Sequence, residues 1–536
     1  MSIRIRFLAV ILLIVMILSV TLFPFQQQVS AARTPQVSKI SGQIALFTDG
    51  TVWVWGSDPY GSDGSSFEPE GLRIPVQIKE LADVIDIARG GGFSVALKKD
   101  GTVWVWGSGQ FGGLGDGRNM FSENLTFPME GPKPYSQKPV QVKALSDIVA
   151  IAAGGHGLAL RKDGTVWGWG QNGAGQIGAG KYAESMMPVT QVTGLPVIQS
   201  IATGWFHSLA LDTNGEVWMW GENYFGKSGD GTESRLNYNE GGNHEVGMPQ
   251  NKAVPVKVKQ LSDVARIQAV GDWFNIAVKK DDSLWFWGKD NILSFSHGET
   301  RNQLLPREVP ELHGAPSVVS NYNFSMILRQ DGTVWTLGYN KFGQLGVGTK
   351  QDNMKPAQVP GLKDVIGISN EDYSAYALKQ DGTVWAWGRN DQGQLGNRNR
   401  YLFLTPRQVI FNPDTPVMER SIEVILDDVV IPLQAPPKTI NGSLYVPAAA
   451  IVNQLGYTLT VRNQSTAEIK KGSQILIVEN GSKRVKINQK TSQLDKQVII
   501  SGREVWLPMN ALKLLFDVKS YYEAQNQIIA ITTQKK

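Results

Sequence analysis

The sequence predicts an all-β seven-bladed β-propeller followed by a small α+β domain built from two strand-helix repeats. An eight-residue phrase, first seen as Asp49-Gly50-Thr51-Val52-Trp53-Val54-Trp55-Gly56, occurs seven times, starting at Asp49, Asp100, Asp163, Asn214, Asp281, Asp331 and Asp381. The copies lie 51, 63, 51, 67, 50 and 50 residues apart, the period of a propeller blade and not of a helical solenoid. Beyond Phe411 the phrase stops and a different duplication begins.

Each blade reads as four short strands. The Asp-Gly pair is a hairpin signal, because the favoured two-residue turn needs positive φ at both central positions. It separates an alternating Ala-Leu strand, such as Ser94 to Leu97, from a Val-Trp-x-Trp strand. Of the 16 tryptophans, 13 sit in these strands, where large rings suit a pleated buried surface, so Trp53, Trp55 and their equivalents are expected to be core between blades. A Gly-rich turn follows, as in Gly343-Gln344-Leu345-Gly346. Then comes a strand led by Pro75, Pro139, Pro188, Pro255, Pro306, Pro356 or Pro406, where a missing backbone donor does least harm. The first strand set lacks a proline-led strand before it and the last, Pro406 to Ile410, has no blade after it. The ends are therefore expected to pair, with the final strand completing the first blade and removing the open sheet edges.

These residues resemble the repeats of the regulator of chromosome condensation family. The resemblance rests on the Gly-x-x-x-x-Gly-Gln-Leu-Gly-x-Gly turn, the His-Ser-Leu-Ala-Leu strand at His207 to Leu211 and the Asp-Gly-x-Val-Trp-x-Trp-Gly strand. It covers roughly 37–411 and implies the propeller. Function is argued from the site, since one fold hosts many activities.

A linker is expected over 412–420, at Asn412-Pro413-Asp414-Thr415-Pro416. Beyond it, over 421–534, Asn441-Gly442-Ser443-Leu444-Tyr445-Val446-Pro447 is echoed by Ser501-Gly502-Arg503-Glu504-Val505-Trp506-Leu507-Pro508. In each copy a turn feeds a strand whose proline can open a helix. Ile451 and Leu455, then Leu512, Leu515 and Phe516, have helical spacing. This pattern resembles the copper amine oxidase N-terminal-like domain of Gram-positive surface proteins, a non-catalytic appendage. No His follows His313, so neither copper nor any other cofactor is implied.

At the chain start, Arg4 and Arg6 precede an apolar run from Phe7 to Phe23 and the small-residue pattern Val29-Ser30-Ala31, which reads as a signal peptide over 1–31. The run also approaches the length that spans a bilayer, which leaves an uncleaved anchor as the alternative. Either way the folded part is expected outside the cell, as a secreted or surface protein of a bacterium. The chain has no cysteine, which excludes disulfides, thiol catalysis and Cys-based metal sites. A net charge of +4 over 536 residues leaves no nucleic-acid footprint. The 421–536 segment carries 14 Lys plus Arg against 9 Asp plus Glu, a balance that suits either anionic wall polymer or ordinary solubility.

No enzyme is expected. The five histidines, His156, His207, His244, His297 and His313, show no metal-site spacing. His156 and His207 occupy a blade position filled elsewhere by Gly42, Phe93, Phe274, Phe324 and Ser374, which favours packing. Asp63-Gly64, Asp116-Gly117 and Asp230-Gly231 read as turns and not as calcium loops.

The blades differ just before each Ala-Leu strand. There Trp205 and Phe206, Asp272 and Trp273, Tyr322 and Asn323, then Asp372 and Tyr373 replace the glycines of earlier repeats. Such residues share one rim of a ring, where rigid aromatic and acidic groups suit a protein-binding hot spot or cap the blade ends. Insertions from Ser57 to Ile74, Arg118 to Lys138, Thr232 to Val254 and Lys289 to Leu305 are expected to project together. The function expected is a secreted or wall-associated binding protein that contacts a protein partner through this rim. The alternatives are a secreted inhibitor of an enzyme such as a β-lactamase and a guanine-nucleotide exchange regulator.

Overall fold

The computed structural model describes residues 35–56, 72–108, 113–115, 135–234, 250–289, 302–321, 324–397, 402–411, 422–426, 429–431, 433, 435–523 and 528–533. The expected signal segment, the linker and most of the four insertions lie outside the described residues.

Over 37–408, seven four-stranded antiparallel sheets succeed one another in chain order. Blade 1 is Val37–Ser41, Ile44–Phe47, Val52–Gly56 and Leu72–Gln77. Blade 7 is Val365–Glu371, Ser374–Lys379, Val384–Gly388 and Phe403–Gln408. In every blade the first strand abuts the first strands of both neighbours, so the first strands ring the axis. The Asp-Gly turns then lie at one end of the blades. The link from first to second strand and the exit from the third strand lie at the other end, the mouth.

Ring closure differs from the expectation. The final strand stays in its own blade, with Trp385 opposite Gln408, and blade 1 already holds four strands. The ends meet by packing instead. Trp55 Nε1 donates to the Gln394 carbonyl of the last blade at 2.7 Å, and the Trp55 ring lies 5.7 Å from that of Phe411. The other described junctions use the same bond: Trp169 to Gly113, Trp220 to Gln176, Trp287 to Lys227 and Trp387 to Gln344, at 2.8–3.0 Å. In these five phrases the second tryptophan thus reaches the Gly-rich turn of the preceding blade, while the sixth phrase has Leu337 in its place.

Two further expectations are corrected. The proline does not lead its strand: Pro75 is the fourth residue of Leu72–Gln77, at a register shift between Val54 and Gly56 on the neighbouring strand. An outer strand at a bulge has no ladder bond to lose there. The two tryptophans of the phrase also differ. Trp55, Trp106, Trp169, Trp220, Trp287 and Trp387 are fully buried, whereas Trp53, Trp104, Trp167, Trp218, Trp285, Trp335 and Trp385 are half-buried. The latter sit beside the Asp-Gly turns, where the space between blades opens to solvent.

Within 422–533 the two duplicated strands, Ser443–Pro447 and Glu504–Pro508, pair with each other through Val446 and Leu507. Each precedes a short helix, Ala448–Gln454 or Ala511–Phe516, whose buried residues include Ile451, Leu512, Leu515 and Phe516. Pro447 stands at the helix boundary as expected, while Pro508 ends its strand and Asn510 stands before the second helix without a side-chain cap bond. A five-stranded meander over 458–493 completes this α+β domain, and Glu423–Leu426 runs parallel to Ile528–Thr533.

Candidate partner-binding face

The links between first and second strands close around the axis at the mouth, leaving a cavity of about 410 Å³. Glycines make the closure possible. A Cβ on Gly154 would stand 2.0 Å from the Gly204 carbonyl oxygen, and one on Gly90 would stand 2.4 Å from that of Gly154. Blades 2 to 5 therefore bring glycine backbone close to the axis, beside the side chains of Arg89, Trp205 and Asp272, whereas blades 6 and 7 present Asn321, Glu371 and Asp372.

The rim residues separate into two sets. Trp205, Asp272 and Asp372, the first of each expected pair, line the axial cavity. The Trp205 indole crosses to blade 2, where a Cβ on Gly91 would lie 2.7 Å from the ring. The second residues, Phe206, Trp273 and Tyr373, do not line it. Trp273 packs 5.7 Å from Phe225, with Lys289 Nζ 3.7 Å above the indole. Tyr373 packs 4.8 Å from Phe342, with the Arg389 guanidinium 6.0 Å from the tyrosine ring and bonded twice to Asp391 at 2.7 Å. Phe206 stays beside Trp205, 6.5 Å between rings. Tyr322 and Asn323 lie outside the described residues. The expected single rim is thus an axial pocket flanked by two half-exposed aromatic and cationic clusters.

Charge at the mouth is mostly paired. Arg89 Nε donates to Glu371 at 2.7 Å, joining blades 2 and 7. Lys227, fully buried, donates to Glu222 at 2.5 Å and to the Asp272 backbone carbonyl at 2.9 Å. The Asp272 carboxyl is pushed up to about 6 by burial, against the pull of Lys227 and with the repulsion of Glu222.

The two buried histidines pack as expected. His156 Nε2 meets Ser208 Oγ at 2.6 Å and His207 Nε2 meets Asn275 Oδ1 at 2.7 Å. Burial pulls His156 down to about 4 and His207 well below its ordinary value, so both are neutral. Blade 1 has Gly42 at this position, as expected, and the side chain of Gln43, whose carbonyl accepts from the Trp55 N–H, fills the space beside Gly56. Asp230 is the turn expected of it: Ser228 and Thr232 hydroxyls donate to it and Lys252 pairs with it at 2.9 Å. Asp63 and Asp116 lie outside the described residues.

Family models for the regulator of chromosome condensation (RCC1) repeat match 84–112, 148–176 and 198–227, and again 100–160, 163–211, 331–370 and 381–422. The chain carries RCC1 repeats. A copper amine oxidase N-terminal domain model matches 425–531. The RCC1 domain-containing protein RUG3, mitochondrial, of Arabidopsis thaliana is 31% identical over 41% of this chain and 46% of its own length. The ultraviolet-B receptor UVR8 of the same plant is 28% identical over 51% of this chain and 57% of its own. The chain thus spans about half the length of these relatives. Among solved structures, human WBSCR16 superposes with a TM-score of 0.53 at 21% identity, covering 67% of this chain and 94% of that one. Yeast RCC1 (Prp20), solved with Kap60 bound, gives 0.55 at 19%, covering 69% and 85%. At these identities the likeness establishes the fold alone.

Several residues of this RCC1 mouth were not singled out from the sequence. Asn321 and Glu371 stand one place earlier than the expected pairs, and Arg89 ends the first strand of blade 2. Phe225 and Phe342 belong to Gly-rich turns, and Lys289 and Arg389 follow their third strands. The last four do leave a signal, since an aromatic turn residue and a cation after the Trp strand occur at the same two junctions.

Proposed function

We propose that this protein is an exported, non-catalytic binding protein whose propeller mouth docks a protein partner, with the C-terminal domain as an accessory module. The observation that carries the reading is the concentration of blade-to-blade difference at the mouth, while the opposite end repeats. Half-exposed rings held by packing and cations lose little entropy on binding, which suits them to anchor an interface. The propeller relatives act in protein-interaction and regulatory settings: one solved yeast structure is RCC1 (Prp20) with Kap60 bound. Export rests on the charged and apolar start of the sequence, and association with anionic wall polymer on the excess of lysine and arginine after residue 420.

The test is capture of surface and secreted proteins by the chain, followed by affinity measurement on the partner retrieved. Trp205→Ala with Trp273→Ala is expected to weaken binding by at least about tenfold, because truncating each hot spot removes more than about 1 kcal/mol. Equal affinity for the folded double variant and the parent moves the interface off this mouth.

A further inference from the structure

We infer that the axial pocket seats the cationic head of a lysine or arginine side chain from the docked protein, placing it between the Trp205 indole and the Asp272 carboxylate. This deepens the reading of the mouth as a partner-binding face and rests on it.

Pairing of the mouth charges selects the sign of the occupant. Arg89 is taken by Glu371 and Lys227 by Glu222, while Arg389 is bonded twice to Asp391. Asp272 is left over. Its Oδ1 is closed to solvent and receives no hydrogen bond among the described residues. A buried carboxylate whose nearest cation, Lys227, is ion-paired to another acid is costly, and an incoming cation relieves that cost. Asp372, exposed on the next acidic link, adds a second negative group to the same lining.

The backbone argues the same way. An anion at this mouth would need free N–H donors, and the amides of six of the seven lining glycines, all but Gly271, are already spent. Gly90 donates to Phe93, Gly91 and Gly92 to the Gly154 and Gly90 carbonyls, Gly154 to His156 and Gly204 to His207. Gly42 donates to Ser369 Oγ. The pocket therefore offers acceptors and an indole face, the pairing that holds ammonium and guanidinium groups. At about 410 Å³ it lies toward the small end of ligand cavities, room for one long side chain and not for a folded segment.

The experiment titrates the full chain with N-acetyl-arginine methylamide, N-acetyl-lysine methylamide and neutral N-acetyl-citrulline methylamide, following calorimetry and tryptophan emission. Saturable binding of at least one cation is expected, with citrulline at least about tenfold weaker and Asp272→Asn weakening the cation by about tenfold or more. Trp205→Leu serves as second variant if Asp272→Asn does not melt cooperatively, and an about threefold loss is expected from the missing ring face. Citrulline binding as well as the cations, no saturation by either cation, or unchanged affinity in a folded variant overturns the proposal. Partner capture with no probe binding leaves the docking face standing without the pocket; probe binding with no partner retrieved does the reverse.

Discussion

The two ends of the ring are built on opposite principles. At the turn end, one device is copied from blade to blade. Asp49, Asp100, Asp163, Asp281, Asp331 and Asp381 each accept from the backbone N–H and the hydroxyl two residues on, at 2.6–3.0 Å. That hydroxyl in turn accepts from the half-buried tryptophan at 3.1–3.4 Å. Blade 4 has Asn214 in place of the aspartate, and Asp212 takes over, accepting from the amides of Asn214 and Glu216 and from Trp218. At the mouth, blades 2 to 5 supply glycine backbone together with Arg89, Trp205 and Asp272, two junctions supply aromatic clusters and blades 6 and 7 supply polar side chains. Repetition maintains the ring, and departure from it makes the site.

The sharpest test of that contrast lies within one phrase. Trp387→Ala is expected to cost about 3–5 kcal/mol, because it empties a fully buried site and strands the Gln344 carbonyl. Trp385→Ala, half-buried beside Lys379, is expected to cost only about 1–2 kcal/mol. Denaturant midpoints with unchanged m-values check both, and equal losses would erase the distinction between the two tryptophans.

Acid is expected to act next most strongly, through the neutral histidines under the mouth. Their folded-state values lie below the ordinary one, so the unfolded chain binds more protons as pH falls from 6.5 toward about 4. Stability is full above that window and declines through it. His156→Phe with His207→Phe, matching the aromatic residues of other blades, is expected to flatten the melting temperature against pH there. The paired carboxylates of the turn end act at lower pH, since hydrogen bonds from Thr102 and Thr165 hold Asp100 and Asp163 below the usual range.

The smallest effect belongs to the aspartate that opens the phrase. Asp381→Ala removes two hydrogen bonds from an exposed turn and is expected to cost within about 1.5 kcal/mol. Thermal melting checks it, and a loss as large as that of Trp387→Ala would make the turn, and not the buried ring, the determinant of blade stability.

What could be read from the sequence follows the same division. The blades, their order and the paired strands of the C-terminal domain announce themselves because a motif must be written again for each copy. The mouth does not. Neighbours such as Asp272 and Trp273 diverge by leaving the loop in different directions, one to the axis and one to the Gly-rich turn. Arg89 and Glu371 meet across 282 residues of chain, a pairing that no local pattern encodes. The closure escapes the sequence for a related reason: counting motifs gives the number of blades, while the register that assigns Phe403–Gln408 to its own blade depends on the sheet as folded.

The bond from Trp55 to Gln394 makes the seam between first and last blades chemically the same as an interior junction. No strand is lent across it, so the ring has no privileged starting point. A gene rearranged to begin at Ile148 and to join Phe411 back to Val37 would write the same seven interfaces in a new order, and a blade gained or lost by duplication would need no compensating half at either end.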